Sequence, residues 1–432
     1  MKPESALSDF ERATLPNALR ILVAPDRSTS FVAVAVVYDV GFRSEPEGRT
    51  GFAHLFEHLM FQGSAHVAKT EHLQLLQSAG GVVNGHTMSD ITAYYEALPS
   101  GGLELALWLE ADRMASLSLN DENLANQVSV VKEEIKVNVL NQPYGGFPWI
   151  PLPALAFDTY ANAHNGYGDF AHLERATLDD AADFYHRYYA PANAVLVVAG
   201  DCVAADVFDL ADRHFGRIDK RRRPPRRSFA EPPLSSERRK VVDDPLIPQP
   251  AFASGYRVPD PVVHLKEYAA YVVLASLLSD GDASRLRTRL VHRDRTVTDL
   301  GCVLGYFGGD GFTMHDPVLF QIVMFHTGVA TTDALLAVVD EELDRLARHG
   351  PDADELQRVA ASVAAAHWRG LDSVLNRALS LAGAEVVHSR AELVAELPSV
   401  LAGAGAEPVA KAAADLLSQH RAILELRPKD RS

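Results

Sequence analysis

The strongest pattern in this chain is the segment Gly51-Phe52-Ala53-His54-Leu55-Phe56-Glu57-His58-Leu59-Met60-Phe61. Its apolar residues fall at i, i+3, i+4, i+7 and i+8, which is the spacing of one buried stripe on an α-helix. At about 100° per residue, His54, Glu57 and His58 point nearly opposite to that stripe. We therefore predict a short helix that buries one face and presents a polar trio on the other.

The polar trio has the spacing of a metal-binding motif. Two imidazoles at i and i+4 lie one helical turn apart, so His54 and His58 can hold one metal ion together, and zinc is favoured by such ligands. Glu57 can then act on metal-bound water, because H-x-x-E-H is the inverted form of the H-E-x-x-H zinc-protease motif. An exposed helix face could also carry these residues by chance, so a third ligand must decide.

A second helix, predicted for residues 120–136, supplies the candidate third ligand. Its apolar stripe consists of Leu124, Val128, Val131 and Ile135. Glu133 points almost directly away from that stripe, whereas Glu134 lies at its edge, about 80° off. A catalytic zinc site takes three protein ligands and keeps one position for water. Glu134 is therefore the better ligand, and Glu133 is expected to be a solvated surface acid.

The composition limits the class of protein. The 432 residues include 41 Lys and Arg against 57 Asp and Glu, a formal net charge of −16. This balance argues against a nucleic-acid partner but not against cationic peptides. Cys202 and Cys302 are too few for a disulfide framework. The N-terminus lacks the apolar core of a signal peptide and no long apolar run follows, so we expect a cytoplasmic protein with no membrane partner.

A basic, proline-rich stretch near the middle divides the chain. Residues 220–240 contain seven arginines and four prolines, and this composition favours a solvated linker over a nucleic-acid patch. We therefore expect an N-terminal zinc-binding catalytic domain at 1–219 and a C-terminal domain at 241–432. Strand and helix patterns mix in both parts, which indicates an α+β class.

The individual elements follow from hydrophobic periodicity. Strands are predicted at 31–37, 194–199, 318–325 and 422–426. Helices are predicted at 103–115, 178–189, 267–278, 333–347 and 353–368.

Further motifs surround the two metal-binding helices. They are Thr14-Leu15-Pro16-Asn17-Ala18-Leu19-Arg20, Gly41-Phe42-Arg43-Ser44-Glu45, Gly80-Gly81-Val82-Val83-Asn84-Gly85-His86-Thr87, Thr92-Ala93-Tyr94-Tyr95-Glu96 and Tyr188-Tyr189-Ala190-Pro191-Ala192-Asn193. With the His/Glu/His segment, they resemble the pitrilysin, insulinase and mitochondrial-processing-peptidase family of inverzincin metallopeptidases, especially its small bacterial members. The resemblance implies two homologous α/β-roll-like halves that are joined by the linker, each a mostly antiparallel sheet packed by helices. It also implies that the two halves together cut an unfolded peptide.

The resemblance also implies roles for individual residues. It makes His54, His58 and Glu134 the ligands of one Zn²⁺ per chain and Glu57 the general base of peptide-bond hydrolysis. The second half then carries no zinc.

Two further positions follow from the same resemblance. Asn84-Gly85-His86 corresponds to the family's edge strand, to which an extended substrate adds by β-augmentation. Gln127 stands where the family usually has a second glutamate, seven residues before Glu134 and about 20° short of two helical turns from it. We predict that Gln127 supports the site by hydrogen bonding near it, without binding the metal.

One family feature is missing from the second half. Active single-chain members carry an Arg/Tyr pair that holds the substrate carbonyl, and the corresponding positions here are Val291 and Thr298. Arg289 or Arg293 could replace the arginine after a small shift, but no residue supplies the phenol. Because some bacterial relatives take this pair from a homologous subunit, we expect a heterodimer, with a homodimer as the remaining arrangement.

The sequence is therefore consistent with two functions. The first is the zinc-bearing subunit of a metalloendopeptidase that acts on short or unfolded peptides, such as the leader of a ribosomally made precursor. The second is a non-catalytic structural or assembly subunit of the same fold. Retention of the ligands and the base favours the first, since a scaffold does not need them.

Overall fold

The computed structural model describes residues 9–306 and 311–429. Residues 1–8, on which the expectation about a signal peptide partly rests, lie outside the described residues. In the described ranges, no helix is long and apolar enough to cross a bilayer. The chain forms two compact units: unit 1 comprises the residues up to Glu133, Gly166–Arg227 and Ala366–Glu396, and unit 2 comprises Glu134–Asn165, Ser228–Ala365 and the residues from Leu397 onward.

The strands confirm the predicted ones and add others. In chain order they are β1 (Glu11–Thr14), β2 (Arg20–Pro25), β3 (Phe31–Tyr38), β4 (Val82–Thr87), β5 (Thr92–Pro99), β6 (Ala194–Gly200), β7 (Arg238–Asp244), β8 (Ala251–Val258), β9 (Val297–Leu304), β10 (Val318–His326) and β11 (Ala422–Pro428).

The helices also match the predicted ones to within about three residues at each end. In chain order they are α1 (Phe52–Leu59), α2 (Glu71–Ser78), α3 (Leu103–Ser116), α4 (Asp121–Ile135), α5 (Pro151–Ala156), α6 (Tyr160–Ala163), α7 (Phe170–Glu174), α8 (Leu178–Tyr188), α9 (Ala204–Phe215), α10 (Leu265–Ser279), α11 (Thr332–His349), α12 (Ala353–Leu371), α13 (Val374–His388), α14 (Leu393–Ala402) and α15 (Ala406–Ser418). Helix α4 belongs to unit 1 except for its last two residues.

The two units contain sheets of the same topology. The strand order is β1-β2-β6-β3-β5-β4 in unit 1 and β7-β11-β8-β10-β9 in unit 2. In each sheet one pair is parallel, β2 with β6 and β7 with β11, and the other pairs are antiparallel. The predicted fold of two repeated, mostly antiparallel α+β halves is therefore confirmed, with β1 as an addition to the first.

Each sheet is covered by a helix from the other half of the sequence. Helix α13 packs on β3 and β6 in unit 1, and α5 packs on β8 and β11 in unit 2. Arg20 on β2 binds the Glu385 carboxylate on α13 at 3.0 Å. The units therefore differ from the expected division at 1–219 and 241–432, because the apolar face of α13 is buried against the first sheet and not within its own half.

The stretch 220–240 is mostly exposed, but some of its side chains bind other segments. Within unit 1, Arg221 donates to the Tyr189 carbonyl at 2.6 Å, and Arg223 binds Asp39 at 2.7 Å. Within unit 2, Phe229 is buried, and β7 already begins at Arg238. Arginine side chains of this largely exposed stretch therefore reach backbone carbonyls and carboxylates of other segments.

A buried polar group lies behind β5 in unit 1. This buried ion cluster consists of His72 on α2, Glu96 on β5, and Glu110 and Arg113 on α3. Arg113 donates to both Glu110 carboxylate oxygens, and its guanidinium lies 4.4 Å from the centre of the Tyr94 ring. Glu96 Oε1 lies 3.7 Å from Arg113 Nη2 and 3.5 Å from His72 Nε2. Among the described residues, neither Glu96 oxygen has a hydrogen-bond partner.

The charges of this cluster favour a bound proton over a metal ion. Ligand atoms of His72, Glu96 and Glu110 lie within 4.8 Å of one another, and burial lowers the pKa of His72 to about 2. With Arg113 paired to Glu110, an ionised Glu96 would leave one uncompensated negative charge, which one proton neutralises and a divalent cation overcompensates. Burial, and then the charge of Glu110, raise the pKa of Glu96 well above its ordinary value.

The substitution Glu96→Gln is expected to stabilise the protein at alkaline pH. The native state keeps a proton on Glu96 that the unfolded chain releases above its ordinary pKa of 4.5. Wild-type stability therefore falls as pH rises through the interval between the two pKa values, by up to about 1.4 kcal/mol per pH unit. The amide has no such proton to lose. In urea unfolding at pH 5 and pH 8, the free energy of unfolding of the variant relative to that of wild type should be higher at pH 8.

Glu110→Gln is the matched control, because it leaves the buried Arg113 without its ion-pair partner. It should lose about 3–5 kcal/mol of unfolding free energy. A Glu96→Gln variant that is less stable than wild type at pH 8 would contradict the assignment of the proton.

Candidate metal centre

Helix α1 begins at a position that requires glycine. Gly51 has φ +91°, and a Cβ atom there would lie 2.3 Å from the Cα atom of Gly168. The carboxylate of Glu45, which is 2% exposed, accepts hydrogen bonds from the backbone N–H groups of Gly51 and Ala53 at 2.9 and 2.7 Å. A carboxylate at this end of a helix binds orphan N–H groups and favours the helix dipole.

The apolar face of α1 is buried as predicted. Phe52, Leu55, Phe56 and Leu59 are all at most 3% exposed. The Phe56 ring packs against Phe184 and Tyr189, with ring centres 5.2 and 4.8 Å away. This packing fixes the rotation of the helix about its axis, so the opposite face carries His54, Glu57 and His58.

Three of the predicted residues come together in one group. The ligand atoms of His54, His58 and Glu134 all lie within 4.8 Å of one another, and the two imidazole centres are 4.9 Å apart. His54 Nδ1 lies 3.1 Å from the Tyr167 carbonyl oxygen. Donation by Nδ1–H to that carbonyl leaves the lone pair on Nε2, which is the tautomer that a metal ligand needs.

Helix phase also separates the two neighbouring glutamates. Glu134 is half-buried and belongs to the group, whereas the Glu133 side chain is exposed. Two imidazoles and one carboxylate are the donor set of many catalytic zinc sites. The residues that are present therefore fit one zinc ion held by three protein ligands.

Glu57 is held by a residue of β4. The Thr87 hydroxyl donates a hydrogen bond to Glu57 Oε2 at 2.7 Å. A Cβ atom on Gly85 would lie 3.3 Å from Glu57 Cγ, so the strand approaches the glutamate closely. Glu57 thus lies on α1 with the ligand residues His54 and His58, and Thr87 of β4 holds its carboxylate.

The strand that contains Asn84, Gly85 and His86 is an edge strand. β4 lies at the end of its sheet and pairs only with β5 within the described residues. Because side chains alternate along a strand, Gly85 and Thr87 face α1, whereas Asn84 and His86 face the other way. His86 packs against Tyr95 with ring centres 5.6 Å apart, and burial lowers its pKa.

Gln127 does not make the predicted hydrogen bond. It lies on α4 two turns before Glu134 and is 5% exposed. Across the part of the chain that the structure describes, its side chain makes no hydrogen bond to the ligand residues. Helix phase predicts which side of a helix a residue faces, but not whether an amide reaches a partner.

Both arginines that could replace the missing family arginine are paired with acids within unit 2. Arg289 binds Glu341 at 2.6 Å and Glu342 at 3.2 Å, and Arg293 binds Asp294 at 2.8 Å. Thr298, at the tyrosine position, accepts a hydrogen bond from Gln249 at 2.7 Å. The unit therefore uses these side chains for its own ion pairs and hydrogen bonds.

Sequence reasoning missed three residues that hold the site, namely Glu45, Thr87 and Tyr167. The first two stood within motifs that we used only for the family resemblance. Alternation along β4 would have placed Thr87 on the same face as Gly85. Tyr167 contributes a backbone carbonyl, for which the sequence contains no signal.

The comparisons with known proteins agree with the geometry. A family model described as insulinase, peptidase family M16, matches residues 20–151, and one described as the M16 inactive domain matches residues 175–363. The zinc protease PqqE of Helicobacter pylori is 31% identical over 306 residues, 69% of this chain and 67% of that protein.

Two further proteins are similar to this chain. A solved protease structure from Helicobacter pylori has a TM-score of 0.89 and 25% identity, over 97% of this chain and 99% of that one. Subunit 1 of the mitochondrial cytochrome b-c1 complex of Bos taurus is 28% identical over 216 residues, 50% of this chain and 43% of that protein. The chain thus spans less than half the length of that subunit. From the matching family models and the long match to PqqE, this chain belongs to the insulinase family of peptidases, M16.

Proposed function

We propose that this chain is a zinc metalloendopeptidase subunit that hydrolyses peptide bonds in short or unfolded peptides. The observation that carries the proposal is the grouping of His54, His58 and Glu134 beside Glu57. A chain that served only as a scaffold would not need three ligand atoms within 4.8 Å of one another and a carboxylate oriented next to them. The names of the zinc protease relatives support the same metal.

In the proposed reaction, His54, His58 and Glu134 hold the zinc ion. Zinc bound there would polarise the scissile carbonyl and lower the pKa of its bound water. Glu57 would take the proton of the attacking water and later deliver it to the leaving amine. Water attacks the carbonyl carbon and the C–N bond breaks, which yields a carboxylate and an amine without an acyl-enzyme.

The proposed substrate-binding element is β4. An edge strand offers unpaired backbone N–H and C=O groups, to which an extended peptide can add as a further strand. Asn84, Gly85 and His86 would contact the peptide backbone and its flanking side chains. Such docking depends little on sequence, which suits leader peptides and other unfolded segments.

The chain is proposed to act with a homologous subunit that supplies the Arg/Tyr pair. Arg289 and Arg293 form ion pairs with acidic residues, and the side chain of Thr298 lacks the phenol of a tyrosine. We favour a heterodimer with such a homologue, and a homodimer is the alternative arrangement. The cytoplasmic location expected from the sequence also stays a proposal.

The second candidate function is a non-catalytic assembly subunit. The similarity to subunit 1 of the cytochrome b-c1 complex favours it, as does the match of one half to a model described as inactive. Metal content separates the two candidates, because an assembly subunit does not depend on zinc.

Purified protein is expected to bind one zinc ion per chain through Glu134. Glu134→Gln should reduce the zinc content well below stoichiometry, since removal of one of three ligands weakens binding by several orders of magnitude. Glu133→Gln, one residue earlier and exposed, is the matched control and should keep full zinc. Mass spectrometry of metal content gives the measurement. Loss of zinc from the Glu133 variant alone would refute the ligand assignment.

Peptide cleavage is expected to depend on Glu57 and on the partner. A quenched fluorescent peptide library should be cleaved slowly by the chain alone and faster once a homologue with an Arg/Tyr pair is added. In that mixture, Glu57→Gln should lower kcat by about 10²–10⁴-fold while zinc is retained, because it removes only the base. Full activity of the pure chain alone would rule out the heterodimer, and an active Glu57 variant would rule out the base.

A further inference from the structure

The strand that would bind the substrate also touches the proposed general base. β4 pairs with β5 so that Gly85 lies opposite Tyr94 and Thr87 lies opposite Thr92. Gly85 and Thr87 are two residues apart and therefore share the face that looks toward α1. The outer edge of the same strand remains for a peptide.

The contact between Thr87 and Glu57 selects one carboxylate oxygen. Thr87 Oγ1 donates to Oε2 at 2.7 Å, which is the distance of a good O–H···O bond to a charged acceptor. Oε2 thereby accepts this hydrogen bond, which leaves Oε1 and the second lone pair of Oε2 for proton transfer. A glutamate side chain has three rotatable bonds, and this hydrogen bond removes much of that freedom at its charged end.

The β4 backbone also lies close to the Glu57 side chain. A Cβ atom on Gly85 would lie 3.3 Å from Glu57 Cγ and 3.2 Å from Tyr94 Cδ1, so the glycine brings the β4 backbone close to the glutamate stem. Tyr94 in turn is held from behind by Arg113 of the buried ion cluster. Glu57 therefore contacts β4, and β4 pairs with β5, whose Tyr94 packs against the buried Arg113.

We propose that Thr87 is a positioning residue that fixes Glu57 to the substrate-binding strand. This inference rests on the proposed function. A peptide docked on β4 would have its scissile bond located relative to that strand, and Thr87 locates the base relative to the same strand. One short element then sets the distance between base and substrate, which is the kind of alignment on which proton transfer depends.

The position also separates Thr87 from a role in peptide docking. Its hydroxyl points toward α1, whereas a peptide would bind through the backbone groups at the open edge. Loss of the hydroxyl should therefore leave substrate affinity almost unchanged. The expected effect falls on the chemical step, and kcat should change while KM does not.

The test compares three substitutions in the zinc-loaded protein with its partner subunit and a quenched fluorescent peptide. Thr87→Val keeps the shape and removes the hydroxyl, and kcat should fall about tenfold to hundredfold, as expected for a lost hydrogen bond to a charged group. KM should stay within about threefold, and zinc content should remain stoichiometric. Thr87→Ser keeps the hydroxyl and should recover most of kcat. Thr87→Ala provides a second hydroxyl-free variant if the valine protein folds poorly.

The outcomes are distinguishable. A Thr87→Val enzyme with wild-type kcat, or a Thr87→Ser enzyme as impaired as the valine variant, overturns the positioning role while the proposed function stands. Parallel losses of kcat, zinc and thermal stability in both hydroxyl-free variants would show a merely structural role and overturn it too. Absence of peptidase activity in the zinc-loaded wild-type pair overturns the proposed function and this inference with it.

Discussion

The burial of one face of helix α1 is the constraint on which the rest of the site depends. A helix of eight residues is too short to be stable alone in water, so it must be held by tertiary contacts. Its aromatic face packs against Phe184 and Tyr189, and the carboxylate of Glu45 binds its first N–H groups. Once that face is buried, His54, Glu57 and His58 have only one direction in which to point. The ligands are therefore aligned by residues that bind no metal.

Local rules predicted much of this molecule from sequence. Periodicity placed the strands and helices that it predicted within a few residues of their observed bounds, because these elements bury a regular apolar stripe. The same rule separated Glu134 from Glu133, which a motif alone would leave ambiguous. These successes share one cause, since helix phase and strand alternation are properties of neighbouring residues and need no knowledge of the fold.

What the sequence could not show depends on contacts between distant segments. The pairing of Thr87 with Glu57 links positions thirty residues apart, and the position of α13 on the first sheet links segments far more distant. The arginines of 220–240 look solvated in sequence because their partners, such as Asp39, are remote. Gln127 illustrates the converse limit, because among the described residues its amide makes no hydrogen bond to the ligand residues despite its helix phase. The duplication was expected from the family resemblance alone, and the strand order of the two sheets shows it directly.

Helix α13 has a consequence for how the protein is made. The strands of the first sheet are all synthesised by residue 200, yet β3 and β6 make their most extensive helix contact only after Val374–His388 has left the ribosome. The surface that α13 covers on the first sheet therefore stays exposed through the synthesis of most of the second half. A chain interrupted before α13 would contain the metal-binding histidines but would leave the apolar surface of β3 and β6 open to aggregation.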